Sequence, residues 1–311
     1  MQIQRIDNQH PTPNATVTVK KCGNVTEVRY SVHGSPEIGI KKLNKDEYLD
    51  LRTGAIEPFK HHANRAGDKA SVAGTFCKLR GLIRCNSTDP ETVLFVTLTY
   101  KTNIRDDQKL YEDFHAFIKR FRRYLKREDH PPVEYIAVAE PQGRGAWHLH
   151  VLLLFPEKAP FIPNAHMAKL WGHGFTKTQS LKGVTDPGLY LTAYLGNMEL
   201  SEAVKAGQFK AGRLAETKDK SKAVIKGSRL MLYPPGFNCY RCSRGVKRPK
   251  VCQMTEEEAQ AEVSGMPLTY EKTISISDES STVRNIINYR TYTKAPAEND
   301  NKTPTKTEPE T

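Results

Sequence analysis

The run His148–Phe155, HLHVLLLF, restricts this chain more than any other stretch. Apolar residues dominate it, and it holds neither Pro nor Gly, so it predicts a buried β-strand. Strand side chains alternate between faces. Trp147, Leu149, Val151, Leu153 and Phe155 therefore form a core side. His148 and His150 share the other side, about 7 Å apart at a rise of about 3.3 Å per residue. Two imidazoles held that way on a rigid element can share one metal ion. A lone His-x-His is more often a pair of half-buried sheet histidines, so its neighbours decide the matter.

The preceding stretch VEYIAVAE (133–140) is a second strand, and PQGRGA turns it back onto the first, which makes the two antiparallel neighbours. Glu140 becomes a third ligand on one condition. The register must put it on the histidine face, as direct pairing with His148 does and pairing with Trp147 does not. Arg144 in the turn is placed for a phosphate, although an exposed loop arginine has many other uses.

TVLFVTLTY (92–100) is rich in β-branched residues and predicts a central strand, with Phe95, Thr97 and Thr99 on one side. A helix follows, capped by Asp106 or Asp107, with Leu110, Phe114, Phe117, Ile118, Phe121 and Leu125 as its apolar stripe. Lys119, Arg120, Arg122, Arg123, Lys126 and Arg127 crowd its C-terminal half. Cations there suit the helix dipole and suit phosphates equally. The DNA-contact reading takes Arg120, Arg123, Lys126 and Arg127 together with Arg144.

Further on, NAHMAKLWG (164–172) reads as a short helix and GFTKTQSL (174–181) as a strand. TDPGLYLTAYLGN (185–197) opens a helix, with Asp186 as N-cap and Pro187 at the first helical position. Tyr190 and Tyr194 stand four apart on one face of it. Taken alone, such a pair is more often core packing than chemistry. Residues 201–228 are basic with few large apolar side chains, so they read as a flexible or DNA-tracking segment, and RLMLYPPGF (229–237) reads as a strand that then turns. Cys239, Cys242 and Cys252 lack the fourth ligand that a structural zinc site wants. The six cysteines fit reduced thiols in a cytoplasm.

A net charge of +12 points to an anionic partner, with nucleic acid the first candidate. No window approaches the roughly 20 apolar residues of a membrane helix, and the polar N-terminus does not resemble a signal peptide.

His-x-His on a strand, an acid before it, paired tyrosines on a later helix and a basic surface together resemble the HUH endonuclease superfamily. More closely, the combination looks like the rolling-circle replication initiators of small plasmids and phages, in the group that includes the filamentous-phage gene II protein. FVTLTY (95–100), HLHVLL (148–153), YLTAYLGN (190–197) and RLMLYPPG with YRCSRGVKRP (229–249) carry the likeness. The resemblance implies an α+β fold: a five-stranded antiparallel sheet with helices packed on one face. It implies Mg²⁺ or Mn²⁺ on His148, His150 and Glu140, with Tyr190 or Tyr194 attacking single-stranded or hairpin origin DNA. The products would be a 5′-phosphotyrosine and a 3′-OH primer. It also implies a host helicase and polymerase as partners, since no GxxxxGK[S/T] run is present, and the cytoplasm of a bacterial host as the location. Many relatives carry Lys three residues after each tyrosine, where this chain has Ala193 and Asn197.

The expected organisation is an N-terminal lead with a small hairpin (1–45), a basic helical lead-in (46–90), a nicking-joining domain (91–292) and a disordered polar tail (293–311). The nicking-joining domain would include the basic insert 201–228 and the downstream strand and turn 229–252. Two rivals stand: a transposase or mobilisation relaxase with the same chemistry, and a non-catalytic origin-binding protein. A histidine-triad nucleotide hydrolase would need a further His where Leu152 stands.

Overall fold

The computed structural model describes residues 2–33, 40–51, 53–184, 186–205, 213–216, 223–277 and 283–294. Of the expected disordered tail (293–311), Thr293 ends a strand and residues 295–311 lie outside those described. The architecture is α+β with antiparallel sheets, and the chain forms two compact units: residues 34–249, and residues 1–33 together with 250–311.

The first unit is built on a five-stranded sheet in the order Thr176–Gln179, Val93–Leu98, Trp147–Leu154, Glu134–Pro141, Tyr240–Cys242, every neighbouring pair antiparallel. Its two faces read directly from the alternation of the histidine strand. Leu149, Val151 and Leu153 face a core closed by helix Asp107–Arg127 through Leu110, Phe114, Phe117, Phe121 and Leu125, with Trp171 of helix Asn164–Trp171 beside them. Asp106 caps the long helix by accepting from the N–H groups of Gln108 and Lys109 at 2.9 and 3.1 Å. Arg120 binds the short helix in place, its Nε donating to the Leu170 carbonyl at 2.7 Å and its Nη2 to that of Trp171 at 2.9 Å.

The opposite face is covered as well, which corrects the expectation of helices on one face only. Leu152, Leu154, Phe95, Ile136 and Val138 pack there against Leu79, Leu82 and Ile83 of helix Lys69–Asn86 and Leu191 and Leu195 of helix Pro187–Gly196. The physical reason is the composition of that face: Phe95, Ile136, Val138, Leu152 and Leu154 are apolar, and leaving them in water would cost about 25 cal/mol per Å².

Two segments differ from their sequence reading. Within 201–228 the described residues are ordered, as helix Leu200–Lys205 and a three-stranded sheet of Met198–Glu199, Ala223–Lys226 and Arg213–Glu216. Ser228–Leu232 is a 3₁₀ turn rather than a strand, because Arg229 is drawn inward by the polar partners described below.

In the second unit, hairpin strands Thr16–Cys22 and Val25–Ser31 lie inside a six-stranded sheet with Lys250–Thr255, Val283–Thr293, Leu268–Ser277 and Gln2–Ile6. Helix Glu256–Glu262, closed by a capping box from Thr255 and Glu258, covers one face through Ala259, with Val263 just beyond its end. Beneath it, Arg290 is 2% exposed and makes a two-pronged contact with Glu256, at 2.5 and 2.7 Å. The described residues of 250–292 therefore group with the N-terminal strands, whose hydrogen-bonding edges they satisfy, and not with residues 34–249. Cys239, Cys242 and Cys252 are free thiols. Among the described residues, no helix is long and apolar enough to cross a membrane.

Candidate metal centre and tyrosine helix

Pairing of Pro141 with Trp147 and of Glu140 with His148 closes the turn over five residues, 142–146. Gly145 takes φ +81, and the Gln142 N–H donates to the Ala146 carbonyl at 2.8 Å. Glu140 therefore stands on the histidine face. The next strand contributes Thr97, which pairs with His150.

The three side chains converge. Glu140 Oε2 lies 3.0 Å from His148 Nε2 and 2.5 Å from His150 Nε2, and the two Nε2 atoms are 3.1 Å apart. Among the described residues this is the only group of three potential ligands whose donor atoms meet in this way. Glu140 and His148 are buried, 3% and 8% exposed. The donor set fits a divalent cation. Neighbouring ligands of an octahedral ion at about 2.1 Å stand about 3 Å apart, close to these separations, and two imidazoles with one carboxylate leave room for substrate oxygens. Thr97 Oγ1 is 3.3 Å from His150 Nδ1, and the Phe95 ring stacks on His150 at 5.6 Å. A bond through Nδ1 turns Nε2 toward the centre.

Burial raises the Glu140 carboxyl, but the charge of His148 and hydrogen bonds from His148 and His150 outweigh it and hold the group well below the usual carboxylate range. Burial pushes the His150 imidazole below its ordinary value, against the pull of Glu140. A carboxylate and a neutral imidazole are the ligand forms of these groups.

Arg229 is the functional residue that the sequence reading missed. It is 4% exposed. Its Nη2 sits 2.9 Å from Glu140 Oε1 and 2.8 Å from Glu202 Oε2. Its Nη1 donates to the Pro141 carbonyl at 2.7 Å, and its Nε to the Asn197 carbonyl at 2.9 Å. Glu202 also accepts from the Gly143 N–H of the turn at 2.7 Å. One guanidinium thus joins the carboxylate of the centre, the turn and the end of the tyrosine helix. The signal available was an arginine opening the apolar run RLMLY, although its partners could not be named.

The tyrosine helix Pro187–Gly196 packs on the histidine face of the sheet through Leu191 and Leu195. Asp186 caps it, accepting from the Leu189 N–H at 3.0 Å. The same carboxylate holds Arg84 of the neighbouring helix, Nη2 to Oδ2 at 2.6 Å. The two helices approach closely: a Cβ on Gly188 would lie 3.0 Å from the Arg80 carbonyl oxygen. Tyr190 is 38% exposed, so it is not core packing. Tyr194 lies one turn further along, and its side chain is outside the described residues. Ala193 and Asn197 follow the two tyrosines by three residues. Asn197 accepts the Gly227 N–H through Oδ1 at 3.3 Å and Arg229 through its carbonyl.

Burial raises Asp186, while Arg84 and the backbone N–H groups of Leu189 and Gly188 outweigh this and lower its pKa. A carboxyl depressed in the folded state contributes stability that is present above the unfolded value of about 3.9 and is lost as pH falls through the folded value. Asp186→Ala should cost about 2 kcal/mol at pH 7 through the lost cap and ion pair. Melting curves from pH 7 to pH 3 should show the gap to wild type shrinking below about pH 4. A gap that stays constant would remove the ion-pair argument.

The predicted DNA contacts are spread. Arg144 is exposed in the turn, its Nε 3.1 Å from Gln142 Oε1. Arg123, Lys126 and Arg127 are exposed on the long helix, which covers the sheet face opposite the triad. Arg120 has its guanidinium engaged by backbone carbonyls.

Residues 93–199 match the model of a replication-associated protein family, the one named for ORF2 and the phage gene II protein. That span is about a third of the chain and holds Glu140, His148, His150, Tyr190 and Tyr194. No curated protein and no solved structure matches the chain.

Proposed function

We propose that residues 34–249 form an HUH-type nicking and joining unit and that the protein initiates rolling-circle replication by cutting one strand of origin DNA. One observation carries this reading: Glu140, His148 and His150 converge on the sheet face against which the tyrosine helix packs. The match to a replication-associated family supports it.

Glu140, His148 and His150 would hold Mg²⁺ or Mn²⁺. When bound, the ion supplies Lewis-acid polarisation of a non-bridging phosphate oxygen. Arg229 fixes the Glu140 carboxylate, and Asp186 with Arg84 fixes the start of the tyrosine helix. The phenol oxygen of Tyr190 or Tyr194 attacks phosphorus, forming a Tyr–O–P bond while the P–O3′ bond breaks. The phenol proton leaves to solvent, and the departing 3′ oxygen takes up one proton. The phosphodiester is kept as a phosphotyrosine, so the joining reaction needs no outside energy. Origin DNA is the partner, and a host helicase and polymerase extend the 3′-OH.

The test is cleavage of a single-stranded origin oligonucleotide with Mn²⁺ by wild type, Tyr190→Phe, Tyr194→Phe and the double variant, with intact-mass spectrometry. The double variant should yield no DNA adduct and show at least a 10³-fold slower cut, about 4 kcal/mol. An adduct that persists in the double variant would remove these tyrosines from the chemistry. Tight DNA binding without any adduct in wild type would favour the non-catalytic origin-binding protein.

A further inference from the structure

The unit formed by residues 1–33 and 250–311 takes no part in the chemistry above, yet the two faces of its sheet differ sharply. On the helix-covered face, the inner-strand residues Val28, Asn288 and Arg290 are 1%, 0% and 2% exposed. On the other face Cys22, Val25 and Ile274 are buried, but Arg29 is exposed, and Tyr289 and Lys272 remain partly accessible although they too lie on inner strands. The register places these three side by side: Tyr289 is opposite Arg29 on one neighbour and opposite Lys272 on the other. Tyr270 is opposite Thr291, two residues from Tyr289 and on the same face, and it is 53% exposed. Arg5 stands one step beyond Lys272, opposite Ile274.

The carboxylates gather on the helix side, where Glu256 and Glu262 pair with Arg290 and Lys21. Helix Glu256–Glu262 carries Glu256, Glu257, Glu258 and Glu262, and Glu271 lies on the face that it covers. The open face bears Arg5, Lys20, Arg29 and Lys272. Glu27 is its carboxylate among the described strand residues, 3.0 Å from Lys20. A duplex hides its base faces, whereas an unpaired strand offers rings for stacking and phosphates for cations. Tyrosines set diagonally between lysine and arginine on a pleated surface match the second.

We propose that the accessible part of this sheet face binds single-stranded nucleic acid, with bases on Tyr270 and Tyr289 and phosphates on Arg5 and Lys272. That the strand is DNA rests on the function proposed above. The surface itself is independent of the nicking chemistry.

The experiment uses the full chain and fluorescence anisotropy with an unstructured 20-nucleotide DNA lacking any nick site. Tyr270→Leu and Tyr289→Leu should each weaken binding by roughly tenfold, and Lys272→Glu should lower the salt slope by about 0.7 or more. Affinities within twofold of wild type in all three surface variants, at unchanged melting temperature, would overturn the proposal, as would equal affinity for the same sequence as a duplex. If Tyr289→Leu fails to fold, Tyr270→Leu carries the test, because its ring is mostly in solvent. Weaker binding in the tyrosine variants, with no nicking by any form of the protein, would sink the replication reading and leave this surface standing. Tighter binding of the matching RNA would keep the surface and remove DNA as its strand.

Discussion

His150→Ala is expected to slow metal-dependent cleavage by at least 10³-fold, about 4 kcal/mol of barrier, while DNA affinity stays within about twofold. The two effects separate because affinity comes mainly from phosphate contacts by Lys and Arg, whereas the imidazole faces Glu140 and His148 in a buried cluster. The variant also loses a ligand, which thermal melting reads without any DNA. A cation that binds only the folded state at 100 times its Kd raises stability by about 2.7 kcal/mol. Wild-type protein should therefore melt higher with Mn²⁺, and His150→Ala should barely respond. His148→Ala and Glu140→Gln should behave alike. A variant that keeps both the melting shift and the cleavage rate would eliminate this cluster as the metal centre.

The second large effect is expected at Arg229. Arg229→Met leaves Glu140 and Glu202 without their shared cation, and breaking a buried pair from one side costs about 3–5 kcal/mol. Burial works against the charged guanidinium, but Glu140 and Glu202 outweigh it and raise its pKa further, so it carries its charge across the whole accessible pH range. Urea denaturation should show the loss directly. Arg229→Lys keeps a charge but not the fork that reaches the Pro141 and Asn197 carbonyls together, so it should recover only part of the stability. If the residue acts by holding Glu140, Mn²⁺ affinity should drop about 10- to 100-fold in Arg229→Lys. A loss of less than 1 kcal/mol in Arg229→Met would mean that the carboxylates find other partners.

The triad was legible because strand alternation is a strict rule. His148 and His150 had to share a face, and only one of two simple registers brought Glu140 to it. The observed Glu140–His148 pairing is that register. The capped start of the tyrosine helix was legible for a similar reason, since Asp and Pro at 186 and 187 act through local backbone geometry. Arg229 was not, because its bonds reach residues 88, 32 and 27 positions away, to Pro141, Asn197 and Glu202. Helix Lys69–Asn86 announced its apolar stripe but not which sheet face would receive it. Strands Arg213–Glu216 and Ala223–Lys226 are four residues long, below what a periodic pattern can reveal. The pairing of strands Lys250–Thr255, Leu268–Ser277 and Val283–Thr293 with residues 2–31 was not legible either, because it depends on contacts across more than two hundred positions.

That last pairing sets an order of events during synthesis. A ribosome releases strands Thr16–Cys22 and Val25–Ser31 early, and a lone two-stranded ribbon is marginal in water. Their later neighbours, Lys250–Thr255 and Val283–Thr293, emerge only after all of residues 34–249. The intervening unit has its own core and can collapse while the ribbon waits. Closing the six-stranded sheet then captures the two distant halves around an already folded insert, which shortens the effective loop that must be closed. Pulse-labelled nascent chains stalled at residue 249 and chased would show protease resistance arriving first in 34–249 and last in the shared sheet.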